Sequence, residues 1–248
     1  GEESELRKQT CVLFAESSLG LLAIAAAHGG ATALANRQQE CLKVICKTIH
    51  RKFDSNKVVL QGCNAICSVL PLFVWNSVYK TSDETQESNA EVAKEIVAVV
   101  EMVLSTQKKD TEQDEELGFA ACRLLSILIV DVAKKAVLPE LTRGPTVVLE
   151  LFAMLESSSG ASLAVRSSET LVLLLNRDVV ACNQLRATEG IAASIVDLIS
   201  RNTGSMFVQE NLCLIVARIV SLDDPDFGRQ IGEAGGLKVI SDLLQVQD

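Results

Sequence analysis

Aromatic residues are scarce in this sequence: one Trp, one Tyr and seven Phe occur among 248 residues, although 48% of the residues are hydrophobic. Proline is also rare, with four residues. Sandwiches and barrels favour aromatic and β-branched residues in short runs, whereas long periodic segments with little proline favour helices. The composition therefore predicts an all-α fold with a large core of Leu, Ile, Val and Ala.

Positive charge is in deficit, because 23 Lys and Arg stand against 32 Asp and Glu, and the net charge is −9. This balance disfavours nucleic acid and anionic membranes as partners, since both require clustered basic residues. No uncharged apolar run reaches the length of about eighteen residues that a membrane helix needs, and the nearest, 117–130, contains Arg123. Because the first residue is Gly1, we expect the native N-terminus to lie upstream. Any membrane contact would then depend on an N-terminal lipid anchor that is not present in this sequence.

The eight cysteines include no CxxC pair and lie mostly in apolar runs at helical spacing. This pattern predicts reduced thiols in the core of a cytoplasmic protein, with a disulfide framework as the alternative. A metal site formed by Cys41, Cys46 and His50 is a further alternative, but these residues lack the paired spacing of zinc ligands.

Histidine is nearly absent, since only His28 and His50 occur. Neither has the Ser, Cys or acidic neighbour that marks a nucleophile and its base. We therefore predict no catalytic residue, no metal and no cofactor, and a protein that is not an enzyme. A cysteine-dependent enzyme is the alternative, and it would need an exposed thiol of low pKa.

A glycine-rich stretch, GEAGGLK at 232–238, invites comparison with phosphate-binding loops. It has neither the G-x-G-x-x-G spacing nor the Gly-Lys-Ser/Thr ending of such loops, and no predicted strand precedes it. We interpret it as a turn with positive φ at one glycine, followed by close packing of the next helix.

Apolar residues at i, i+4, i+7 and i+8 recur with a period in the low forties, at 147–155 and again at 191–199. Helices of a second kind alternate with these segments, and Glu169 aligns with Glu210 at an offset of 41 residues. Fixed-period self-similarity of this kind predicts a repeat protein.

Two polar, acidic stretches interrupt the pattern near 80–91 and 105–116. Their composition predicts solvated loops. A candidate capping box from Ser88 to Glu91 places the start of the following helix near residue 88.

The period, three helices per repeat and a glycine before the second helix resemble the armadillo repeat. The match is carried by QIGEAGGLKVISDLL at 230–244, QENLCLIVARIV at 209–220 and GCNAICSVLPLF at 62–73. The resemblance implies a right-handed superhelical solenoid of about five armadillo-like repeats, with residues 1–248 as a single domain. HEAT repeats are the alternative, but they lack the short first helix and the glycine.

In the armadillo family the third helices line a concave groove, where nuclear-import receptors carry a repeated Trp and Asn ladder for a basic peptide. Here the Trp positions are Leu173 and Leu214, and the Asn positions are Arg177 and Arg218, so a nuclear-import cargo site is disfavoured. We predict instead a partner-binding groove with four arginines: Arg123, Arg166, Arg177 and Arg218. Arginine binds carboxylates well, so the predicted partner is an acidic or C-terminal segment of another protein. Local surface ion pairs are the alternative role for these arginines.

The sequence is also similar to the armadillo-repeats-only family of apicomplexan parasites, in length, repeat number and lack of other domains. That resemblance implies a scaffold whose acylated N-terminus lies on the cytosolic face of the rhoptry, a secretory organelle, where it recruits a myosin. The acylated residues are not in this sequence. We expect a non-enzymatic protein-binding adaptor in the cytoplasm, with a nuclear-transport or chaperone-type armadillo receptor as the alternative.

Overall fold

The computed structural model describes residues 2–27, 38–70, 83–105, 112–130, 141–144, 146–158, 160–222 and 225–245. Twelve α-helices and no strand occur in these ranges. The prediction of an all-α fold is confirmed for this part of the protein. None of the helices within it combines the length and the apolar character needed to cross a membrane.

The protein forms two compact units, Gly1–Leu141 and Thr142–Asp248, where we expected a single domain, and each unit is described by itself. The helices of the N-terminal unit are α1 (Glu2–Ala27), α2 (Gln38–Arg51), α3 (Asn56–Val69), α4 (Asp83–Ser105) and α5 (Glu112–Val130).

Helix α3 is the centre of the N-terminal unit, because α1, α2 and α5 all pack against it. Helix α4 packs against α2 and α5. The contact between α2 and α3 depends on Gly62, since a Cβ atom there would meet Cγ1 and Cδ1 of the fully buried Ile49. Apolar residues at helical spacing are buried on both α2 and α4: Leu42, Cys46, Ile49, Ile96, Val100, Val103 and Leu104.

Helices α4 and α5 begin earlier than the sequence indicated. They cover 83–91, 105 and 112–116, so the prediction of acidic loops is wrong for those residues, while 80–82 and 106–111 lie outside the described residues. The capping box from Ser88 to Glu91 does not start a helix, because it lies inside α4. Glu and Gln are good helix formers, and negative charge is favoured near a helix N-terminus, so these polar stretches extend the helices.

The C-terminal unit contains seven of the described helices. They are α6 (Thr146–Ser157), α7 (Ala161–Arg177), α8 (Val179–Arg186), α9 (Ile191–Arg201), α10 (Met206–Val220), α11 (Pro225–Glu233) and α12 (Gly236–Gln245).

Packing in the C-terminal unit follows one scheme twice. The short helix α8 packs against α6 and α7, which precede it, and the short helix α11 packs against α9 and α10 in the same way. Helix α7 packs on α10, and α9 packs on α12. The periodic apolar positions of α6 and α9 are buried, as predicted: Val147, Leu151, Met154, Leu155, Ile191, Ile195, Leu198 and Ile199.

Candidate functional site

The candidate site is one side of the helix pair α7 and α10. Asn211 Nδ2 donates a hydrogen bond to Ser168 Oγ at 3.0 Å, and Arg218 Nε donates one to the carbonyl oxygen of Leu175 at 3.1 Å. The two contacts are seven residues apart in both helices. The helices therefore run side by side in the same direction, with contacting residues 43 positions apart in the sequence.

We define the α7–α10 face by eight residues that occupy matching positions in the two helices, 41 residues apart. They are Arg166, Glu169, Leu173 and Arg177 of α7, and Phe207, Glu210, Leu214 and Arg218 of α10. The spacing i, i+3, i+7 and i+11 places each set of four on one side of its helix.

Large apolar side chains are exposed on this face. Phe207 is 63% exposed and Leu214 is 47% exposed, while Leu173 is half-buried. In the sequence, Leu173 and Leu214 stand out only as replacements for the Trp ladder, and no motif marks Phe207. The alignment of Glu169 with Glu210 would have found Phe207, because the same offset pairs it with Arg166.

Arg218 is held by contacts with two neighbouring groups. Its Nε contacts Leu175 O, and its Nη1 lies 3.5 Å from Ser221 Oγ. The carbonyl of Leu175 belongs to the last turn of α7, where helix carbonyls lack partners within the helix. It also accepts a hydrogen bond from Cys182 Sγ at 3.2 Å. Arg218 thus caps the C-terminus of α7 and is half-buried, while its remaining guanidinium donors are not used by these bonds.

Arg177 has a different environment, although it occupies the matching position. It is exposed at the last position of α7, and its guanidinium makes no hydrogen bond or ion pair with any described residue. Arg166 pairs with Glu169, three residues later, at 3.2 Å, and both side chains are about two-fifths exposed, at 38% and 42%. A local ion pair, the alternative role for these arginines, therefore describes Arg166 and does not describe Arg177.

Arg123 belongs to the N-terminal unit, whereas the other three arginines belong to the C-terminal unit. It is exposed on α5, and its positive charge lowers the pKa of the Cys67 thiol. Burial outweighs that effect and raises the pKa of Cys67 to about 11.

Three thiols of the N-terminal unit are buried: Cys46 on α2, and Cys63 and Cys67 on α3. Burial raises the pKa of Cys46 to about 12, and the charge of Glu95 contributes in the same direction. Burial and the neighbouring Cys67 and Cys46 raise the pKa of Cys63 as well. Thiols with raised pKa values stay protonated near neutral pH and are poor nucleophiles.

The residues weighed as metal ligands do not share one environment. Cys46 is buried, Cys41 is half-buried and His50 is exposed. His28, a candidate only as a catalytic base, lies outside the described residues. The structure brings no group of three or more His, Cys, Asp or Glu side chains into metal-binding geometry within the ranges it describes.

The glycine-rich stretch has the geometry that we predicted for it. Gly235 has a φ of +85°, in the left-handed region, and Gly190 has a φ of +77° at the equivalent point before α9. A Cβ atom on Gly236 would lie 2.6 Å from Cγ2 and 2.8 Å from the carbonyl oxygen of Ile231. These glycines therefore serve the turn and the close packing of α12 on α11.

Comparison with protein-family models, curated proteins and solved structures gave no match to this protein.

Proposed function

We propose that this protein is a non-enzymatic scaffold that binds a segment of another protein on the α7–α10 face of an armadillo-like solenoid. The repeated packing scheme of the C-terminal unit supports the repeat architecture. Each pair of long helices there is followed by a short helix that packs back on both, and the long helices α7 and α10 stack on each other. Stacked repeats of this kind form extended surfaces for partners.

The observation that carries the proposal is the combination of exposed groups on this face. Phe207 and Leu214 offer apolar surface, and Arg177 on the same face is an exposed cation with no described partner. Aromatic residues and arginine are enriched among the residues that dominate binding energy in protein interfaces. The matching partner is a segment with apolar side chains and a carboxylate, supplied by an acidic residue or by a C-terminus.

Three of the buried thiols are unsuited to nucleophilic catalysis. Cys46, Cys63 and Cys67 stay protonated at neutral pH because burial raises their pKa values. The resemblance to the armadillo-repeats-only family supports a narrower form of the proposal, in which the partner is a myosin and the protein acts at the cytosolic face of a rhoptry.

The test compares an Arg177→Glu variant and a Leu214→Asp variant with the wild type. Both residues are exposed, so both variants should keep the wild-type circular dichroism spectrum. Arg51→Glu is a matched control, because Arg51 is also an exposed arginine at the last position of its helix. Each protein is used to capture partners from extracts of the native cell, and the captured proteins are identified by mass spectrometry.

The proposal predicts a set of proteins that bind the wild type and Arg51→Glu, but bind Arg177→Glu and Leu214→Asp at least about tenfold less, a loss of about 1.4 kcal/mol. Binding through Arg177 should also weaken as salt is raised. Capture of the same proteins at the same level by all four forms would contradict a role for this face.

A further inference from the structure

The first turn of α8 exposes apolar surface next to the arginines at the end of the α7–α10 face. Val179 and Val180 begin α8, and their side chains are 48% and 49% exposed. In the same helix Ala181, Cys182 and Leu185 are fully buried. The inner side of α8 is therefore covered by the protein itself, and the two valines belong to its outer side.

The contacts of Cys182 place these valines beside Arg218. Cys182 Sγ donates a hydrogen bond to Leu175 O at 3.2 Å, and Arg218 Nε donates one to the same oxygen at 3.1 Å. Cys182 follows Val179 by only three residues in α8, and Val179 follows Arg177 by two. The start of α8 therefore lies at the arginine end of the α7–α10 face.

Apolar side chains also lie on the other side of these arginines, four residues earlier in each helix. Leu214 precedes Arg218 and is 47% exposed, while Leu173 precedes Arg177 and is half-buried. Four residues of α-helix correspond to about 6 Å along the axis. The two guanidinium groups are therefore flanked by accessible apolar surface on two sides.

The charges near the arginines favour a carboxylate at this point of the face. Asp178 is the closest acidic residue in sequence, but it accepts hydrogen bonds from Val180 N at 2.7 Å and from Thr142 Oγ1 at 2.8 Å. Its charge is thus engaged within the protein, beside the exposed Arg177. Glu210 is an exposed carboxylate two turns before the end of α10. It would repel an incoming acidic group, so the carboxylate of a partner belongs next to Arg177.

We infer that the partner segment is internal to its own polypeptide and carries an acidic residue with apolar residues on both sides. A free C-terminus ends at its carboxylate, so it could cover the apolar surface on only one side of the arginines. An internal Asp or Glu bound by Arg177 lets the partner continue in both directions, over Leu214 on one side and over Val179 and Val180 on the other. This inference rests on the proposed function, which leaves open whether an acidic residue or a C-terminus supplies the carboxylate.

The spacing of these groups predicts the sequence pattern of the partner. Leu214 lies about 6 Å before Arg218 along the helix, and Arg177 and Val179 flank the extended residue Asp178 at a similar separation. An extended segment rises about 3.3 Å per residue and a helix about 1.5 Å. We therefore expect apolar residues on each side of the acidic residue, about two positions away in an extended partner or about four in a helical one.

The experiment selects peptides that bind the 248-residue protein from two phage-displayed libraries. In one library the random peptides are joined to the coat protein through their C-terminal ends, and in the other they end in a free carboxylate. The selected peptides are synthesised with the matching blocked or free C-terminus, and their binding is measured by fluorescence anisotropy.

Two variants and one control locate the binding of these peptides. Arg177→Glu removes the cation, and a Val179→Ser/Val180→Ser double variant removes the apolar surface beyond it. Val44→Ser is a matched control, because Val44 is a valine that is 58% exposed on a helix of the N-terminal unit. All of these side chains are exposed, and an unchanged circular dichroism spectrum verifies that each variant folds.

The library without free carboxylates should yield peptides with an acidic residue between apolar residues. They should bind the wild type and Val44→Ser equally, and bind Arg177→Glu and the double valine variant at least about tenfold more weakly. Peptides that require both Arg177 and a free C-terminus overturn this inference and leave the proposed function standing. Arg177-dependent peptides that bind the double valine variant as well as the wild type have the same consequence. If neither library yields a peptide that depends on Arg177, the proposed function and this inference both fail.

Discussion

A methyl group added to Gly236 tests how α12 joins the rest of the C-terminal unit. Gly236 is the first residue of α12, and it is buried against α11. In a Gly236→Ala variant the new Cβ would lie 2.6 Å from Cγ2 and 2.8 Å from the carbonyl oxygen of Ile231, and 3.2 Å from Cγ2 of Val196. The oxygen is part of the α11 backbone, so a side-chain rotation cannot remove the clash. The start of α12 must move away from α11.

The expected cost follows from the size of that movement. Inserting a methyl group into a packed site typically costs about 1–3 kcal/mol. Replacing glycine by alanine also stiffens the unfolded polypeptide, which stabilises the fold by about 0.4–1 kcal/mol. The net expectation for Gly236→Ala is a loss of about 1–2 kcal/mol in the free energy of unfolding.

Gly235 and Gly228 provide two control substitutions, for which we expect opposite changes in the free energy of unfolding. Gly235 has a φ of +85°, and no atom lies within 4 Å of a Cβ added there, so Gly235→Ala tests backbone strain alone. A left-handed conformation costs a non-glycine residue about 1–2 kcal/mol. Gly228 lies inside α11, also with open space around the added methyl group. Gly228→Ala should therefore stabilise the protein by about 0.5–1 kcal/mol.

The assay is urea unfolding followed by circular dichroism at the helix band. Because the protein forms two compact units, the curves are first inspected for two transitions, and the variants should shift the one that belongs to 142–248. The expected order of stability is Gly228→Ala, then wild type, then Gly235→Ala and Gly236→Ala. A Gly236→Ala variant as stable as Gly228→Ala would refute the close contact between α12 and α11.

Four further predictions concern other contacts. Gly62→Ala should destabilise the N-terminal unit by about 1–3 kcal/mol in urea unfolding, because its Cβ would meet the buried Ile49. Asp178→Ala should lower the free energy of unfolding by about 2 kcal/mol. Asp178 caps α8 by accepting a hydrogen bond from Val180 N at 2.7 Å, and it accepts another from the buried Thr142 at 2.8 Å. An unchanged urea midpoint would contradict the cap. Arg218→Ala should cost about 1–2 kcal/mol by loss of the bond to Leu175 O, whereas Arg177→Ala should be neutral. Stability should fall as pH rises above about 9, the ordinary pKa of a thiol. The reason is that Cys46 and Cys67 have raised pKa values in the folded protein, about 12 and about 11, so the unfolded polypeptide loses these protons first. Urea midpoints measured from neutral pH to above the ordinary thiol pKa test this. Replacing both cysteines by alanine should make the fall of stability with pH less steep.

The periodicity of apolar residues made the core predictable. Residues such as Ile195 and Val147 are buried because one side of each helix must pack on its neighbours, and that requirement sets the spacing of apolar residues in the sequence. The turn at Gly235 was predictable for a similar reason, because its geometry depends on local backbone conformation.

The helix starts at Asp83 and Glu112 were not predictable in the same way. Polar residues with high helix propensity suit both a solvated loop and an exposed helix, so composition does not separate the two. The interpretation of Ser88 and Glu91 as a capping box was wrong, because the same residue types also occur inside helices.

The arginines of the α7–α10 face show most clearly which contacts the sequence alone does not predict. The repeat offset gives Arg177 and Arg218 equivalent positions, but their partners depend on which helix packs beside each of them. Helix α10 has a neighbour, α7, whose last turn presents the carbonyl of Leu175, and Arg218 donates to it. Among the described residues Arg177 has no such acceptor. Reversing the charge at Arg218 would therefore change folding and binding together, whereas reversal at Arg177 changes the surface charge alone, so only Arg177 can separate a binding role from a structural one.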